Sequence, residues 1–442
     1  FEEINHELGL AFRYRWAGGD EFGWVRTATV ENIVALPVTI ELLDGVRNVL
    51  PWGVSQALQQ RTSNLVDAYK RSEVDPETGL AVFSLTAGIS DRPEALEVLR
   101  ATTAFCHGLE DAQAHLDLAA VDAFREGASP ARGLRLNGRR GSYLVSARLE
   151  LPPGGTKSWH IALDTGLDQH DVASLDARLR EGNGLGDDIE ASLRAAGTNL
   201  ARSVASADGL QTTAHREATA HHAANVLFNI MRGGVFAENT LVPSDDLRTF
   251  IGARNARVAD RAAEFLRELP EKVDVRELIT RARSTGDADL ERLSYEYLPV
   301  HFGRRHGDPS RPWNRFSIHV RNADGSRALR YDGNWRDIFQ NWEALCASFP
   351  TFLPNIVAKF VNASTVDGFN PYRVTREGVE WEVPEEDNPW SHIGYWGDHQ
   401  VIYLLKLLEG MTRALPGELE RLLDRAVFSY ADVPYRLRPY DE

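Results

Sequence analysis

The hydrophobic period of this chain changes once, near residue 165, and that change limits the folds open to it. Before that point apolar and polar residues alternate at period 2, the spacing of strands with one buried face. The stretch AFRYRW sets Phe12, Tyr14 and Trp16 on one face and Arg13 and Arg15 on the other, ahead of Gly18 and Gly19 at a turn. Asn137-Gly138 and Pro153-Gly154-Gly155 mark further turns between strand-like runs. Short strands repeated over this length predict a β-sandwich across 1–165, with one helical interlude in RPEALEVLRATTAF.

After about residue 170 the period becomes 3.6. ASLDARLREGNGLGDDIEASLRAAGTNLARSVA alternates helical runs with a glycine-rich break. GNGLG follows no strand, so a dinucleotide loop is rejected and 166–212 reads as a helical linker. From HREATAHHAANVLFNIMRGGVFAEN onward the helices are long and largely apolar, which makes 213–442 a separate all-α unit. A chain of 442 residues has room for two or three such cored units.

A formal charge of −15 excludes nucleic acid and anionic lipid as main partners, because both require a basic footprint. A neutral ligand fits better. Cys106 and Cys346 lie far apart among apolar or helical neighbours and read as buried thiols, not a disulfide framework. No run reaches roughly 18 consecutive apolar residues, so no membrane span is expected, and a cytoplasmic location is the working expectation.

Within the α unit, GNWRDIFQNWEALCASF places Trp335, Ile338, Phe339, Trp342, Leu345, Cys346 and Phe349 on one helical stripe, with Asp332 as the expected N-cap. Its other face opens with Arg336, Asp337, Gln340 and Asn341 and closes with Ala344, Ala347 and Ser348. Small residues there predict contact with another helix. GYWGDHQVIYLLKLLEGM repeats the design: Tyr395, Trp396, Asp398, His399 and Gln400 precede a helix apolar around most of its circumference. HHAANVLFNIMRGG adds Asn225, Asn229 and Arg232 before a Gly233-Gly234 stop. Helices of this kind suit the inner ring of a double-layered α-barrel whose open end holds a site; a solenoid would need a fixed-period repeat, and none is present.

Trp313, Trp335, Trp342, Trp381, Trp390 and Trp396 crowd into one stretch of the α unit, half of them in loops. Loop Trp beside Asp, Arg, Asn and His suits carbohydrate recognition: a ring stacks on the apolar face of a pyranose and planar polar groups bond its hydroxyls. Glycosidic cleavage needs an acid to protonate the leaving oxygen and, in a hydrolase, a second carboxylate. Asp337 and Asp398 are the candidates. Asp337 beside Arg336 suits a carboxylate that holds sugar hydroxyls better than one that donates a proton. Glu377, Glu380 and Glu382 read as solvated. Arg304, Arg305, His306, Arg311 and Arg315 form a basic loop able to bind an inorganic anion or pair with the acidic surface. His215, His221 and His222 lack a zinc-ligand pattern, and neither a nucleophile elbow nor a P-loop occurs; neither metal nor cofactor is expected.

The order β-sandwich, helical linker, α-barrel resembles the (α/α)6 glycosidases and disaccharide phosphorylases. The nearest local likeness is to the cellobiose-phosphorylase-like proteins of glycoside hydrolase family 94, in which an Arg-Asp-x-x-Gln helix lines the sugar subsite next to the cleaved bond. GNWRDIFQN matches through Arg336, Asp337 and Gln340; Asn341 stands where the family has an acid. DGFNPYRVT and GYWGDHQVIYLL take the places of the family's aromatic loop and following helix, with Asp398 the match and His399 a departure.

The resemblance implies inverting cleavage of a glucan-like oligosaccharide, by hydrolysis or with inorganic phosphate as co-substrate. Trp335, Tyr395, Trp396, His399, Arg304, Arg305 and His306 would then line substrate or anion. A homodimer is the expected assembly. The alternative is a non-catalytic carbohydrate-binding or structural protein of the same fold. A six-hairpin barrel takes roughly twelve helices, more than 216–442 can hold. The barrel is therefore expected to be incomplete here, as in the N-terminal part of a longer enzyme or in a divergent member with an incomplete site.

Overall fold

The computed structural model describes residues 1–89, 96–301, 322, 326–366, 368–381 and 401–432, with backbone alone at 229 and 231–233. It divides into two compact units, 1–199 and 200–442.

Unit 1 opens with strands β1 (Glu2–Asn5), β2 (Leu10–Gly19), β3 (Gly23–Asn32) and β4 (Val38–Val49), then short helices α1 (Gln56–Arg61) and α2 (Ser63–Ala68). Strands β5 (Lys70–Val74), β6 (Ala81–Leu85), β7 (Ala101–His107) and β8 (Gln113–His115) precede α3 (Ala119–Arg125). Strands β9 (Arg135–Asn137), β10 (Gly141–Leu151) and β11 (Thr156–Leu167) complete two antiparallel sheets. The larger runs β1-β2-β3-β11-β7-β6-β5-β9 and the smaller β4-β10-β8. Val30, Phe83 and Trp159 of the first pack with Tyr143, Val145 and Leu149 of the second in one core, as a sandwich requires. A polar tie crosses the sheets as well: Asp44 accepts from Trp159 Nε1 at 2.7 Å and from the Arg26 guanidinium.

Gly18-Gly19 precedes the turn of the β2–β3 hairpin, whereas the two later glycine turns do something a hairpin would not. Asn137-Gly138 leads from β9 to β10 and Pro153-Gly154-Gly155 from β10 to β11, so each carries the chain between sheets. The expected interlude in RPEALEVLRATTAF is corrected: Leu96–Arg100 is non-helical, and the β-branched ATTAFCH is strand β7, paired with β11. Residues 90–95 lie outside the description. Trp16 is likewise 41% exposed, although Phe12 and Tyr14 on its face reach the core.

The segment expected as linker holds two helices, α4 (Gln169–Glu181) and α5 (Leu185–Ser206). A capping box of Asp168 and Asp171 starts α4, and Gly182 ends it at φ 65°, a left-handed value cheap only for glycine. Leu185, Ile189 and Leu193 bury against Phe22, Val25, Phe105 and Ala162. These helices cover the outer face of the larger sheet, and α5 runs across the division at Asn199.

Unit 2 continues with α6 (Arg216–Gly233), β12 (Val235–Phe236), β13 (Leu241–Pro243), α7 (Ser244–Arg254), α8 (Ala256–Arg261) and α9 (Ala263–Glu268). Next come β14 (Lys272–Asp274), α10 (Val275–Ser284), α11 (Ala288–Glu296), β15 (Val300–His301), β16 (Asp332–Asn334) and α12 (Trp335–Ser348). Helix α13 (Leu353–Ala363), β17 (Arg373–Thr375), β18 (Val379–Glu380), α14 (Val401–Ala414) and α15 (Glu418–Leu423) follow. The unit is mainly helical around a single core, with small antiparallel ladders β12-β15, β13-β14 and β16-β17-β18 between helices. Helix α11 packs on α10 and α13, and α12 on α6 and α14. Among the described residues no helix is long and apolar enough to cross a membrane.

The predicted stripe of α12 is buried along its whole length, from Trp335 to Phe349. Two details differ. Asp332 is not the N-cap: it pairs with Thr375 in β16, so the helix starts after Asn334. Ala344 and Ala347 are exposed rather than held against a helix; alanine, the best helix former, can face water at no cost to the helix. Helix α14 is also not buried all round. Leu407 and Met411 are covered, whereas Val401, Ile402 and Leu405 are exposed.

Candidate functional site

The N-terminal turn of α12 is held by the small sheet that precedes it. Trp335 donates its backbone N–H to the Tyr372 carbonyl at 3.1 Å, and Asn334, Arg373 and Glu380 lie in one row across β16, β17 and β18. The Arg373 side chain is 2% exposed. Its Nη1 lies 2.9 Å from Glu380 Oε2 and its Nε 3.9 Å from Asp332 Oδ1, so one buried cation joins the outer strands of this sheet.

Trp335 is itself buried, with its ring centroid 4.6 Å from those of both Phe339 and Phe360. It packs in the core and offers no ring face for stacking. Arg336, Asp337 and Gln340 lie off the apolar stripe on the same turns, the first two partly buried with side chains 29% and 13% exposed. Arg336 Nε lies 3.7 Å from Asp337 Oδ1, and Gln340, one turn on, is exposed. Asn341 turns inward: it is buried, and its Nδ2 donates to the Asp337 carbonyl at 2.6 Å. The helix therefore presents a cation, a carboxylate and an amide side by side, a set suited to hydroxyl-rich ligands. Asp398, Tyr395, Trp396, His399, Arg304, Arg305 and His306 lie outside the described residues, as do the side chains of Asn229 and Arg232. Asn225 is exposed on α6.

Behind this turn lies a buried polar cluster that sequence reasoning missed. Tyr331 meets Trp342 edge to face at 5.2 Å, and Lys359 Nζ lies 5.3 Å from the Tyr331 ring and 5.8 Å from that of Phe250. Burial lowers the Lys359 ammonium to about 8. Around it, Glu296 accepts from Arg292 Nη1 at 2.9 Å and Asn362 Nδ2 at 2.8 Å, while Asp246 accepts from Tyr297 and from Arg376 Nη2 at 2.8 Å. The regular spacing of Asn355, Lys359 and Asn362 on α13 was the available signal, since three polar residues at i, i+4 and i+7 share one helix face. Arg373 carried no such signal, because only strand register brings it to Glu380.

Both cysteines are free, and burial pushes the Cys106 thiol up to about 12, far from the thiolate. Among the described residues no His, Cys, Asp and Glu side chains group to hold a metal ion. A cavity of about 670 Å³ in unit 1 lies beside α4 and strands β5 and β6. Its acids are engaged: Asp75 and Asp176 pair with Arg180, and Glu73 with Arg71 and Arg135.

Residues 236–299 match glycoside hydrolase family 149 insertion domain 1. The segment runs from Phe236 through α11 and supplies Asp246, Glu296 and Tyr297 to the buried cluster. It lies wholly within the stretch expected to be barrel. No curated protein matches the chain. Among solved structures, a putative kojibiose phosphorylase from human microbiome is similar at 9% identity and a TM-score of 0.25, over 96% of this chain and 42% of that one. The chain thus spans less than half the length of that protein.

Proposed function

We propose that the N-terminal turn of α12 is a saccharide subsite in a glycoside-cleaving protein of the phosphorylase and hydrolase type. The match of 236–299 to a glycoside hydrolase insertion domain carries this reading. Arg336, Asp337 and Gln340 would hold the hydroxyls of a glucan-like oligosaccharide, as the likeness to the cellobiose-phosphorylase-like family 94 implies. Their adjacency off the apolar stripe, with Gln340 exposed and Arg336 3.7 Å from Asp337, supports that role.

In the proposed inverting reaction an acid, for which Asp398 is the candidate, protonates the glycosidic oxygen as the bond to the anomeric carbon breaks. A phosphate oxygen or an activated water attacks the opposite face of that carbon. Arg304, Arg305 and His306 are the proposed phosphate holders.

The test is to incubate the chain with glucose oligosaccharides with and without inorganic phosphate. Sugar 1-phosphate formed only with phosphate supports phosphorolysis, and free sugar released without it supports hydrolysis. Binding without turnover would favour a non-catalytic carbohydrate-binding protein. Absence of any binding would overturn the subsite.

A further inference from the structure

Where β2 and β3 meet at their hairpin turn, the inner face of the eight-stranded sheet carries two exposed aromatic rings. Strand register sets which residues share that inner face. Trp16 pairs with Arg26 and Gly18 with Trp24, so Trp16 and Trp24 are diagonal neighbours on one face, within about 8 Å along the backbone. The alternate residues Ala17, Phe22 and Val25 pack with Leu185, Ile189 and Leu193 of α5 on the opposite face. A side chain at Gly19 would meet Ser192 there, whereas one at Gly18 would meet nothing within 4 Å.

Toward the core the same face continues as Tyr14, Phe12 and Trp159, with Phe1 stacked on Tyr14 at 4.9 Å and Arg26 over Tyr14 at 4.6 Å. Asp44 covers Arg26 and closes that end. Trp16 and Trp24 are left 41% and 64% exposed.

We infer that this end of the β2–β3 hairpin is a second saccharide site, in addition to the proposed α12 subsite, which binds a neutral oligosaccharide across Trp16 and Trp24. Paired indole rings supply large flat apolar faces, and the open position at Gly18 leaves room beside them for a chain of sugars. Glu3, which pairs with Phe12 and so shares the face, is placed to accept from hydroxyls at the β1 edge. A chain of net charge −15 disfavours an anionic ligand on the same rings. The choice of saccharide rests on the proposed function; the existence of the open aromatic face does not.

The experiment is calorimetric titration of the whole chain with hexasaccharides of α-1,4-, β-1,3- and β-1,4-linked glucose, using wild type, W24A, W16A/W24A and, as a control, W52A, whose ring is exposed elsewhere in unit 1. One linkage should bind at two sites. W16A/W24A should weaken one of them at least about tenfold, W24A should do so in part, and W52A should change neither. Matching thermal melts show that the variants are folded. Equal binding by wild type and W16A/W24A overturns the inference. If oligosaccharide is still cleaved in that case, the proposed function stands alone. Glucan binding lost in W16A/W24A without any turnover by wild type would support the face while sinking the catalytic reading. A wild-type dimer made monomeric by W16A/W24A, with no sugar effect, would show that a second copy covers the rings and would overturn the site.

Discussion

The backbone N–H of Trp335 donates to the carbonyl of Tyr372, 37 residues further along the chain, at 3.1 Å. That bond fixes the first residue of α12 to the strand carrying Arg373, so the direction in which Arg336 and Asp337 point depends on how firmly this small sheet is held.

Arg373→Ala should loosen it. The substitution removes a guanidinium that is 2% exposed and takes from Asp332 and Glu380 the cation between their strands. Because Glu380 is partly solvated, the expected loss is about 2–3 kcal/mol, below that for a fully buried pair. Urea unfolding of the variant measures it; an unchanged midpoint would mean that the row across the sheet holds nothing.

Asp337→Asn and Gln340→Ala should act on ligand more than on fold. Gln340 is exposed, so its variant should melt near wild type. The Asp337 side chain is 13% exposed, so Asp337→Asn, which keeps its size, should cost about 1 kcal/mol of stability while saccharide affinity at the α12 site falls by about tenfold or more, the loss of a charge-assisted hydrogen bond. Calorimetry on folded protein decides between this and a purely structural role, which would move stability alone.

Trp342→Ala should cost about 3–5 kcal/mol, the usual range for deleting a buried aromatic. Trp342 is fully buried and meets Tyr331 and Phe339 edge to face at 5.2 Å each. Trp342→Phe should retain much of that stability, because a smaller ring keeps part of the contact. Chemical denaturation of both variants provides the comparison.

Lys359 gives a pH signature. Burial lowers its ammonium from 10.5 to about 8, so between those values the unfolded chain keeps a proton that the folded chain has released. Stability should therefore rise with pH across this window, and below about pH 8 the full cost of the buried charge is present. Lys359→Met removes that cost, worth about 3 kcal/mol at pH 7 from the size of the shift. The advantage of the variant should shrink as pH approaches 10.5. Unfolding midpoints of both proteins at pH 7, 8, 9 and 10 test the trend, and a difference independent of pH would contradict it.

How far the site was legible depended on how local its determinants are. The buried stripe from Trp335 to Phe349 follows from helical spacing alone, because seven large apolar residues at that period have only one way to leave water. The placement of Arg336, Asp337 and Gln340 off that stripe follows from the same wheel. Asp332 reads as a cap from sequence because a cap and an edge strand both place an acid before a helix, and only pairing with Thr375 separates them. Arg373 and Lys359 sit in short segments where burial is imposed by distant partners.

By itself the sequence determined the change from strands to helices near residue 165 and the face each element buries, since both follow from periods of 2 and 3.6 in side-chain direction. Tertiary structure alone decided which faces remained open. Trp16 and Trp24 stay uncovered beside the β2–β3 turn although their register is that of the core face, and the helices at 169–206 cover a sheet face where a linker was expected. Exposure depends on where the layer opposite ends, and strand pairing across more than a hundred residues builds that layer.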